Sequence, residues 1–362
     1  MKRRTLLGTL PALALTACAD LPPASTTQPV TATAKAATAR RASARAQQLA
    51  GQLDRGINFG NMLDAPTEGA WGVRVEDAFL DLVGERGFTS SVRLPVRWSN
   101  HASVDAAARI DPVFFKRVDG VVDALLARGC TVLLNMHHYR QLDGDKLDPG
   151  ETAVDPAVVQ PRFLAMWDQI AQRYADRGER LVFEPYNEPH GQLEPHWNRL
   201  LSEVVARIRI SNPRRVLMVG PTMWNNALRL GQLRLPDDEN LIVTVHHYEP
   251  FDFTHQGAEW NEPKLPLGLD CCDAKQLDRI VAPLEIARQW RDQHGYPVVV
   301  GEFGAYSKAR TAARSRYLAA IRREMEQRRL PWIYWELAAG FGVYDPAARA
   351  FRPEIFEPLY RR

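Results

Sequence analysis

The chain has 362 residues, 45% of them hydrophobic and 25% charged, with a formal net charge of +3. This composition is typical of a globular protein with one large core, and it excludes a fibre or a disordered chain. The three excess positive charges all lie in the first four residues. The remainder is neutral, so no electrostatic argument favours nucleic acid or an anionic membrane as a partner.

The N-terminal residues have the pattern of an export signal. Residues 2–4 are basic, and the apolar stretch 5–17 is too short for a permanent membrane helix. Residues 3–7 (RRTLL) resemble a twin-arginine export motif, and residues 15–18 (LTAC) resemble a lipoprotein cleavage box that would place a lipid on Cys18. We therefore expect a signal peptide over residues 1–17 and export by a bacterium, as a periplasmic, lipid-anchored or secreted protein. A chance cysteine in a signal cleaved further along remains the alternative for Cys18.

The next segment, residues 18–47, is rich in Ala, Thr, Ser and Pro. Such a composition cannot bury enough apolar surface to offset its ordering entropy, which predicts a flexible tether. Residues 48–362 then form a single domain, because no change in composition divides them and no internal repeat is visible. The only membrane contact that we expect is through a lipid on Cys18.

Short apolar runs alternate with longer stretches of helical period along this domain, which is typical of βα units around a parallel sheet. Eight strands are predicted, at residues 56–61, 90–96, 131–136, 181–186, 215–219, 241–246, 297–302 and 332–335. Outer helices are predicted at residues 75–87, 112–128, 162–177, 194–211, 275–294 and 310–329. The predicted fold class is α/β, a single-domain (β/α)₈ TIM barrel, with an active-site loop from residue 248 to about 273.

Four cysteines are present, and their spacing does not match a zinc site. Cys130 precedes an apolar run and is interpreted as a small buried hydrophobe. Cys271 and Cys272 are adjacent in the long loop, where they either remain thiols or close a strained ring in an oxidising compartment. We expect neither a metal nor a cofactor.

Catalytic groups of such a barrel project from the carboxyl ends of its strands. The residues at or just after these ends are Asn61, Arg93, His137, His138, Asn187, Glu188, Trp224, His246, His247, Tyr248, Glu302 and Trp335. A purely structural strand end tolerates almost any residue, so this concentration of titratable and aromatic side chains indicates an active site.

Two of these strand ends carry a family resemblance. Residues 186–189 (YNEP) and 301–304 (GEFG) resemble the two characteristic segments of glycoside hydrolase family 5, the cellulase family. Further residues follow in the family's order, and they are Arg93, His137, His246, Tyr248 and Trp335. Residues 56–61 and 250–257 also resemble the endoglucanase branch. The resemblance covers the chain from about residue 50 onward and implies a retaining endo-β-1,4-glucanase, with Glu188 as acid/base and Glu302 as nucleophile.

Physical chemistry supports this division between the two glutamates. Retaining hydrolysis needs two carboxyl groups about 5–5.5 Å apart, one neutral and one ionised. We expect Arg93 and Tyr248 to keep Glu302 ionised, and burial together with the charge of Glu302 to keep Glu188 protonated.

The other candidates are expected to bind or orient the substrate. Asn187 would donate to the sugar 2-hydroxyl, and Trp335 would provide a platform for a pyranose ring. His137 and His246 would be neutral and would orient the carboxylates and contact sugar hydroxyls. Candidates for the surrounding cleft are His138, Asn61, Trp224 and Trp260, and a core position remains the alternative for His138 and the two tryptophans. The expected partner is a β-glucan polysaccharide or oligosaccharide, bound by a monomer.

Three alternatives stay open at this point. A β-mannanase or a xyloglucanase would use the same catalytic pair, because loop side chains select the polymer. A metal-dependent hydrolase barrel would use His137, His246 and Glu302 as ligands. A catalytically inactive carbohydrate-binding barrel should have lost one carboxylate, whereas both are present.

Overall fold

The computed structural model describes residues 41–361, and eight short parallel strands form its main sheet. The strands are β1 Gly56–Asn58, β2 Ser91–Leu94, β3 Thr131–Asn135, β4 Leu181–Glu184, β5 Leu217–Val219, β6 Leu241–His246, β7 Val298–Glu302 and β8 Ile333–Tyr334. Each strand pairs with its neighbour in sequence, β8 pairs with β1, and a bridge from Val300 to Trp332 joins β7 to β8. The sheet therefore closes into a barrel, and all eight predicted strands are confirmed.

Helices surround this barrel. The helical elements are α1 Ala44–Gln52, α2 Asp77–Leu80, α3 Pro112–Ala127, α4 Arg140–Asp143, α5 Val159–Arg173, α6 Trp197–Ser211, α7 Thr222–Asn225, α8 Phe251–Thr254, α9 Ala274–His294, α10 Thr311–Gln327 and α11 Pro353–Tyr360. Of these, α7 is a single turn whose last three residues have left-handed φ rather than right-handed helical values. Short 3₁₀ turns lie at Trp98–His101, Pro156–Val158, Gly191–His196 and Ala227–Gln232, and a small antiparallel pair is formed by β9 Tyr344–Asp345 and β10 Ala350–Phe351. Five of the six predicted outer helices correspond to α3, α5, α6, α9 and α10.

The predicted helix over 75–87 is wrong, because only Asp77–Leu80 is helical there. The chain turns at Gly84, whose φ of 105° is open to glycine but not to most other residues. Its N–H donates to the carbonyl of Thr89, and a Cβ at this position would lie 2.5 Å from the carbonyl oxygen of Arg128. Apolar residues thus continue at helical spacing beyond Gly84, but the backbone turns there and does not continue the helix.

The first helix, α1, was not predicted, and it begins four residues before the expected start of the domain at residue 48. Ser43 caps it by accepting the N–H of Ala46 and donating to Asn240. The predicted signal peptide, Cys18 and the tether as far as residue 40 lie outside the described residues. Within the described part of the chain, no helix is long and apolar enough to cross a membrane.

Helix α1 closes the amino-terminal end of the barrel. Its buried side chains pack against inward apolar side chains of the strands and form one cluster, which we call the floor: Ala46, Leu49, Ala50, Leu53, Leu133, Val182, Val216, Met218, Ile242, Val299 and Ile333. These inward positions fill the lower barrel with side chains, as expected for a barrel of eight strands.

Further along β1, β2, β3, β4 and β6 the inward side chains become polar, because alternate residues face the same side of a strand. We call this layer and the strand ends above it the mouth. Its inward polar side chains within the strands are Asn58, Arg93, Asn135, Glu184, Thr244 and His246, all of them buried. The mouth is therefore a polar site built on an apolar floor.

An irregularity in β7 brings Glu302 into the mouth. Val245 pairs with Val300, whereas the next residue, His246, pairs with Glu302, so Gly301 is an extra residue in β7. A Cβ on Gly301 would lie 2.5 Å from the hydroxyl of Thr244, which explains why the extra residue is a glycine. Such bulges re-aim side chains next to active sites, and here the bulge sets Glu302 on the same side as His246.

Candidate active site

Arg93 is the central residue of the mouth, and its side chain is fully buried. The guanidinium donates twice to Glu184, at 2.7 and 2.9 Å, and once to Glu302, at 2.5 Å. Its other two N–H groups donate to the side-chain oxygens of Asn58, at 2.9 Å, and Asn187, at 2.7 Å. Because a guanidinium carries five donors in a fixed plane, Arg93 positions two carboxylates and two amides together.

Glu302 lies at the end of β7 with 5% of its side chain exposed. One carboxylate oxygen accepts from Arg93, and the other accepts the phenolic O–H of Tyr248 at 2.9 Å. Burial raises the pKa of Glu302, and the charge of Arg93 opposes the rise. Both hydrogen bonds favour the ionised form, so this carboxylate is prepared to carry a negative charge.

Glu188 follows β4 with 22% of its side chain exposed, and its φ of 51° is left-handed. Its Oε1 lies 2.6 Å from Nδ1 of His246. Burial raises the pKa of Glu188 to about 7, against the opposing charges of His190 and Arg93. Near neutral pH this residue can therefore exist as an acid that gives up a proton and as a carboxylate that takes one.

His246 connects the two glutamates. Its Nδ1 lies 2.6 Å from Glu188 and 3.6 Å from Glu302, and its Nε2 lies 3.3 Å from the side-chain nitrogen of Asn225. One ring nitrogen of His246 thus faces Glu188 and the other faces the side-chain amide of Asn225. Burial lowers the pKa of His246 to about 4, which keeps the ring neutral.

Asn187 and Trp335 lie beside this centre. Arg93 occupies the side-chain oxygen of Asn187, which leaves the amide N–H groups available for a ligand. Trp335 is half-buried and stacks on His137, with ring centroids 5.3 Å apart and planes 5° apart. The indole also needs Gly60, because a Cβ there would lie 2.6 Å from the ring.

The position of His137 corrects one expectation. Its Nδ1 lies 3.2 Å from the side-chain nitrogen of Asn135, and no hydrogen bond within residues 41–361 joins it to either glutamate. Burial lowers the pKa of His137 well below its usual value, so the ring is neutral. His137 therefore supports the indole of Trp335 rather than orienting a carboxylate.

His138 and Asn61 lie close to these residues. The ring of His138 is half-buried, 4.5 Å from that of His137 and 6.0 Å from that of Trp71. Strand β3 has ended at Asn135, so strand alternation no longer turns His138 toward the core. Asn61 is half-buried, and its φ of 64° places it in a left-handed turn directly after β1.

Trp224 and Trp260 are both exposed, by 52% and 57%. Trp224 stacks on His190, with ring centroids 4.6 Å apart. Trp260 lies edge-on to Tyr306 at 4.8 Å and belongs to an aromatic group that reaches Tyr248 through His255. Neither indole is a core residue, which removes the alternative left open for them.

Comparison with known proteins identifies the family. A family model described as Cellulase (glycosyl hydrolase family 5) matches residues 55–340. The chain belongs to glycosyl hydrolase family 5. Endoglucanase H of Acetivibrio thermocellus is 30% identical over 317 residues, which cover 85% of this chain and 33% of that protein. The chain thus spans about a third of the length of this curated relative.

Solved structures of similar proteins have the same fold. A hyperthermophilic endo-β-1,4-glucanase solved with substrate gives a TM-score of 0.82 at 37% identity, covering 88% of this chain and 99% of that chain. Cel5A of Thermotoga maritima, solved with cellobiose and with mannotriose, gives 0.80 at 41% identity, covering 86% and 99%. The predicted single-domain (β/α)₈ barrel is confirmed.

Three residues of this family 5 site were missed from the sequence: Asn58, Asn135 and Glu184. All are fully buried at inward positions. Asn58 donates to the carbonyl of Gly301 at 3.1 Å, and Asn135 lies 3.4 Å from Glu184. The available signal was a carboxylate within the apolar run of β4, since a buried charge is rare unless it is paired.

Two groups of ligand-type side chains occur among residues 41–361. Glu188, His246 and Glu302 have such atoms within 4.8 Å of one another, but Nδ1 of His246 is engaged with Glu188 and both oxygens of Glu302 accept hydrogen bonds. Their contacts therefore suit proton transfer. The second group is Asp64, His137 and His138. A metal-dependent hydrolase was expected to use His137, His246 and Glu302 as ligands. His137 belongs to the second group and the other two residues to the first, so these three side chains do not form one site.

The long loop of the family 5 barrel contains a disulfide between Cys271 and Cys272. The side chain of Cys271 is buried, and its carbonyl accepts from Arg316 at 2.7 Å. Asp273 follows at once and starts α9 with a capping box that includes Gln276. Cys130 is a free, buried thiol, as expected from the sequence.

Proposed function

We propose that the protein is a retaining endo-β-1,4-glucanase, with Glu302 as nucleophile and Glu188 as acid/base. The observation that carries this proposal is the separation of the two carboxylates, which present oxygen atoms within 4.8 Å of each other. Retaining enzymes need about 5–5.5 Å between the carboxyl groups, whereas inverting enzymes need roughly 6.5–9.5 Å to admit a water molecule.

In the first step, an oxygen of Glu302 attacks the anomeric carbon while Glu188 protonates the departing glycosidic oxygen. Arg93 and Tyr248 hold the attacking carboxylate ionised and in place. The free N–H groups of Asn187 donate to the sugar 2-hydroxyl, a contact that strengthens as the ring approaches an oxocarbenium ion. The products are a glycosyl ester on Glu302 and a released sugar alcohol.

In the second step, Glu188 acts as a base. It removes a proton from water, the hydroxide oxygen attacks the anomeric carbon, and the ester bond to Glu302 breaks. Because both displacements invert the centre, the product keeps the β-configuration. The proton that Glu188 gave away in the first step is recovered in the second.

The pKa values determine the pH dependence of the first step. Glu188 must be protonated, so the step slows as pH rises through about 7, the pKa to which burial raises this residue. Glu302 must be ionised, so the step also slows on the acid side, as pH falls through the raised pKa of Glu302. A bell-shaped profile of kcat/KM with an alkaline limb near pH 7 is expected.

A β-1,4-glucan is proposed as substrate because the similar proteins are an endoglucanase and a Cel5A solved with cellobiose. A mannan is the second candidate, since the same Cel5A was also solved with mannotriose. The aromatic side chains that would contact further sugar units, Trp224 and Trp260, offer faces that suit either polymer.

Release of reducing ends from carboxymethylcellulose, mannan, xyloglucan and mixed-linkage glucan tests the substrate. Proton NMR of the first product tests the mechanism, and the β-anomer should appear before mutarotation. An α-anomer appearing first contradicts the retaining mechanism. Loss of activity with a chelator, restored by a divalent ion, would instead favour the metal-dependent alternative.

We further propose that the protein is exported and works as a monomer, with a lipid on Cys18 as one form of attachment. The basic and apolar residues 1–17 and the box LTAC at 15–18 support this proposal. Labelling with a fatty-acid analogue in the native host checks the lipid, and a mature N-terminus at Ala19 or beyond excludes it. Light scattering of the purified protein checks the oligomeric state.

A further inference from the structure

The segment after Glu188 contains a histidine that the reaction above does not use. The Nδ1 of His190 lies 2.6 Å from the backbone carbonyl oxygen of Glu188, and its Nε2 lies 3.2 Å from a carboxylate oxygen of Asp145. Both of these atoms are acceptors. A neutral imidazole carries only one N–H, so both contacts are hydrogen bonds only when the ring is an imidazolium.

The surroundings of His190 stabilise that cation. Asp145 bonds to it, and the buried carboxyl of Asp143 lies 3.7 Å from Nδ1. Burial lowers the pKa of His190, but the hydrogen bond to Asp145 and the charge of Asp143 outweigh it and raise the pKa to about 9. Asp145 also accepts a hydrogen bond from Arg140 at 3.0 Å, and burial raises the pKa of Asp143 to about 7.

Two uncharged rings complete the environment of His190. The indole of Trp224 stacks on the imidazole at 4.6 Å, with planes 22° apart, which suits a cation on an aromatic face. His138, whose pKa burial and nearby positive charges hold well below its usual value, is neutral and adds no charge. His190 is thus a fixed positive charge in a cleft wall.

His190 also restrains the backbone of Glu188. The φ of Glu188 is 51°, a left-handed conformation that costs free energy for a residue with a Cβ and must be held by its surroundings. On one side, the N–H of Asn187 donates to the carbonyl of Met136 at 3.0 Å. On the other side, Nδ1 of His190 holds the Glu188 carbonyl, and the backbone N–H of His190 donates to Asp143 at 3.3 Å.

We propose that His190 is a positioning residue for the acid/base: as an imidazolium held by Asp145, it fixes the backbone of Glu188 and places a positive charge behind its carboxyl group. This inference rests on the proposed role of Glu188. The charge favours the ionised form of Glu188, which is the form needed as base in the second step. The restraint serves the first step, because the carboxyl group must stay aimed at the glycosidic oxygen.

The test uses His190→Gln, Glu188→Ala and the double variant, with His196→Gln as a control for an exposed histidine outside the mouth. Each is assayed on the best oligosaccharide found above and on the matching dinitrophenyl glycoside, whose leaving group needs no proton. His190→Gln should lower kcat/KM on the oligosaccharide by on the order of 10²-fold. It should leave kcat/KM on the dinitrophenyl glycoside nearly unchanged, and it should add nothing in the Glu188→Ala background.

The pH profile provides a further test, because a purely structural role of His190 would not shift it. Removal of the cation should shift the alkaline limb of the oligosaccharide profile to higher pH, because Glu188 then loses its proton less readily. Asp145→Asn provides a second variant, since His190 then loses its second proton at lower pH. The alkaline limb of the oligosaccharide profile should therefore move to higher pH in this variant as well, because His190 is then neutral at the pH where Glu188 titrates.

Two results overturn the inference. One is an equal loss on both substrates, and the other is an alkaline limb that stays in place or moves to lower pH in His190→Gln. Failure of the proposed function looks different, because Glu188→Ala alone would then affect both substrates to the same degree.

Discussion

The floor and the mouth of the barrel are only two residues apart along a strand, as from Leu133 to Asn135 on β3 and from Val182 to Glu184 on β4. Both layers are buried, but the floor is wholly apolar whereas the mouth contains buried ionisable groups. Burying a charge costs free energy unless every polar atom finds a partner, which Arg93 achieves with all five N–H groups. Stability and reactivity are thus assigned to adjacent layers of the same strands.

The backbone shows the same division. Left-handed non-glycine residues follow β1, β4 and β5 at the mouth, at Asn61, Glu188 and Met223–Asn225. Such conformations are costly and are typical of functional sites. At the floor end, the left-handed residues Arg55 and Arg329 lie in the connections before β1 and β8, outside the cluster that forms the floor. Substitutions in the mouth should therefore change chemistry more than stability, and substitutions in the floor should do the reverse.

The largest effect is expected for Glu302→Ala. Turnover should fall by at least about 10⁴-fold on every substrate, because no second nucleophile is available. Azide should restore formation of an α-configured glycosyl azide only, which proton NMR identifies. The thermal midpoint should fall modestly, because Arg93 and Tyr248 each lose a buried hydrogen-bond acceptor while Arg93 keeps its pairing with Glu184. A β-configured azide product would mean that the two glutamates have exchanged roles.

Glu188→Ala should have a smaller and selective effect. On oligosaccharides the loss should be about 10²- to 10⁴-fold, the usual contribution of general acid–base catalysis. On a dinitrophenyl glycoside the first step should survive while the intermediate accumulates, which a pre-steady-state burst detects. Azide should then give a β-configured product. An equal loss on both kinds of substrate contradicts the assignment.

Leu49→Ala should act on the floor alone. The side chain lies in α1 with 4% of its surface exposed, and its truncation should lower the free energy of unfolding by about 2–4 kcal/mol. Denaturant unfolding measures this loss, with Ile210→Ala, an 82% exposed position on α6, as the matched control. At a temperature where the variant is folded, kcat/KM should be unchanged. A fall in kcat/KM would show that floor and mouth are coupled.

The smallest effect is expected for Cys271→Ser with Cys272→Ser. This disulfide lies in the long loop between β6 and α9 and donates no group to either glutamate among the described residues. Turnover of an activated aryl glycoside should stay within a few-fold of the unaltered enzyme, since surface-loop changes are usually mild. A folded variant that has lost turnover by orders of magnitude would place this loop in the chemistry.

Much of the barrel could be predicted because its strands are short apolar runs, which can be recognised directly in the sequence. Helix 75–87 failed because apolar period does not reveal that the backbone turns at Gly84. Helix α1 was missed because its alanines resemble those of the preceding segment of the sequence. Its stability comes from packing against the floor of the barrel. Tertiary contacts thus decided the elements that local pattern could not.

The site followed the same rule. Glu188 and Glu302 could be chosen as candidates because they follow or end strands, a position that sequence spacing shows, and both lie close together in the mouth. Glu184 was missed because one carboxylate in an apolar strand has meaning only when Arg93 is seen beside it. The bulge at Gly301 was missed because register belongs to a pair of strands and not to one. His137 was predicted at the correct strand end but was expected to contact a carboxylate, whereas its ring stacks on Trp335. The direction in which a side chain points within such a cluster depends on packing, which the sequence does not show.

Helix α1 also determines at which end of the barrel the chain enters the domain. The backbone enters the domain at this helix, where Ala42 donates to the carbonyl of Gly295 and Ser43 to that of Glu239, on loops at the closed end of the barrel. The cleft opens at the other end. The described chain therefore begins at the end of the barrel opposite the catalytic glutamates.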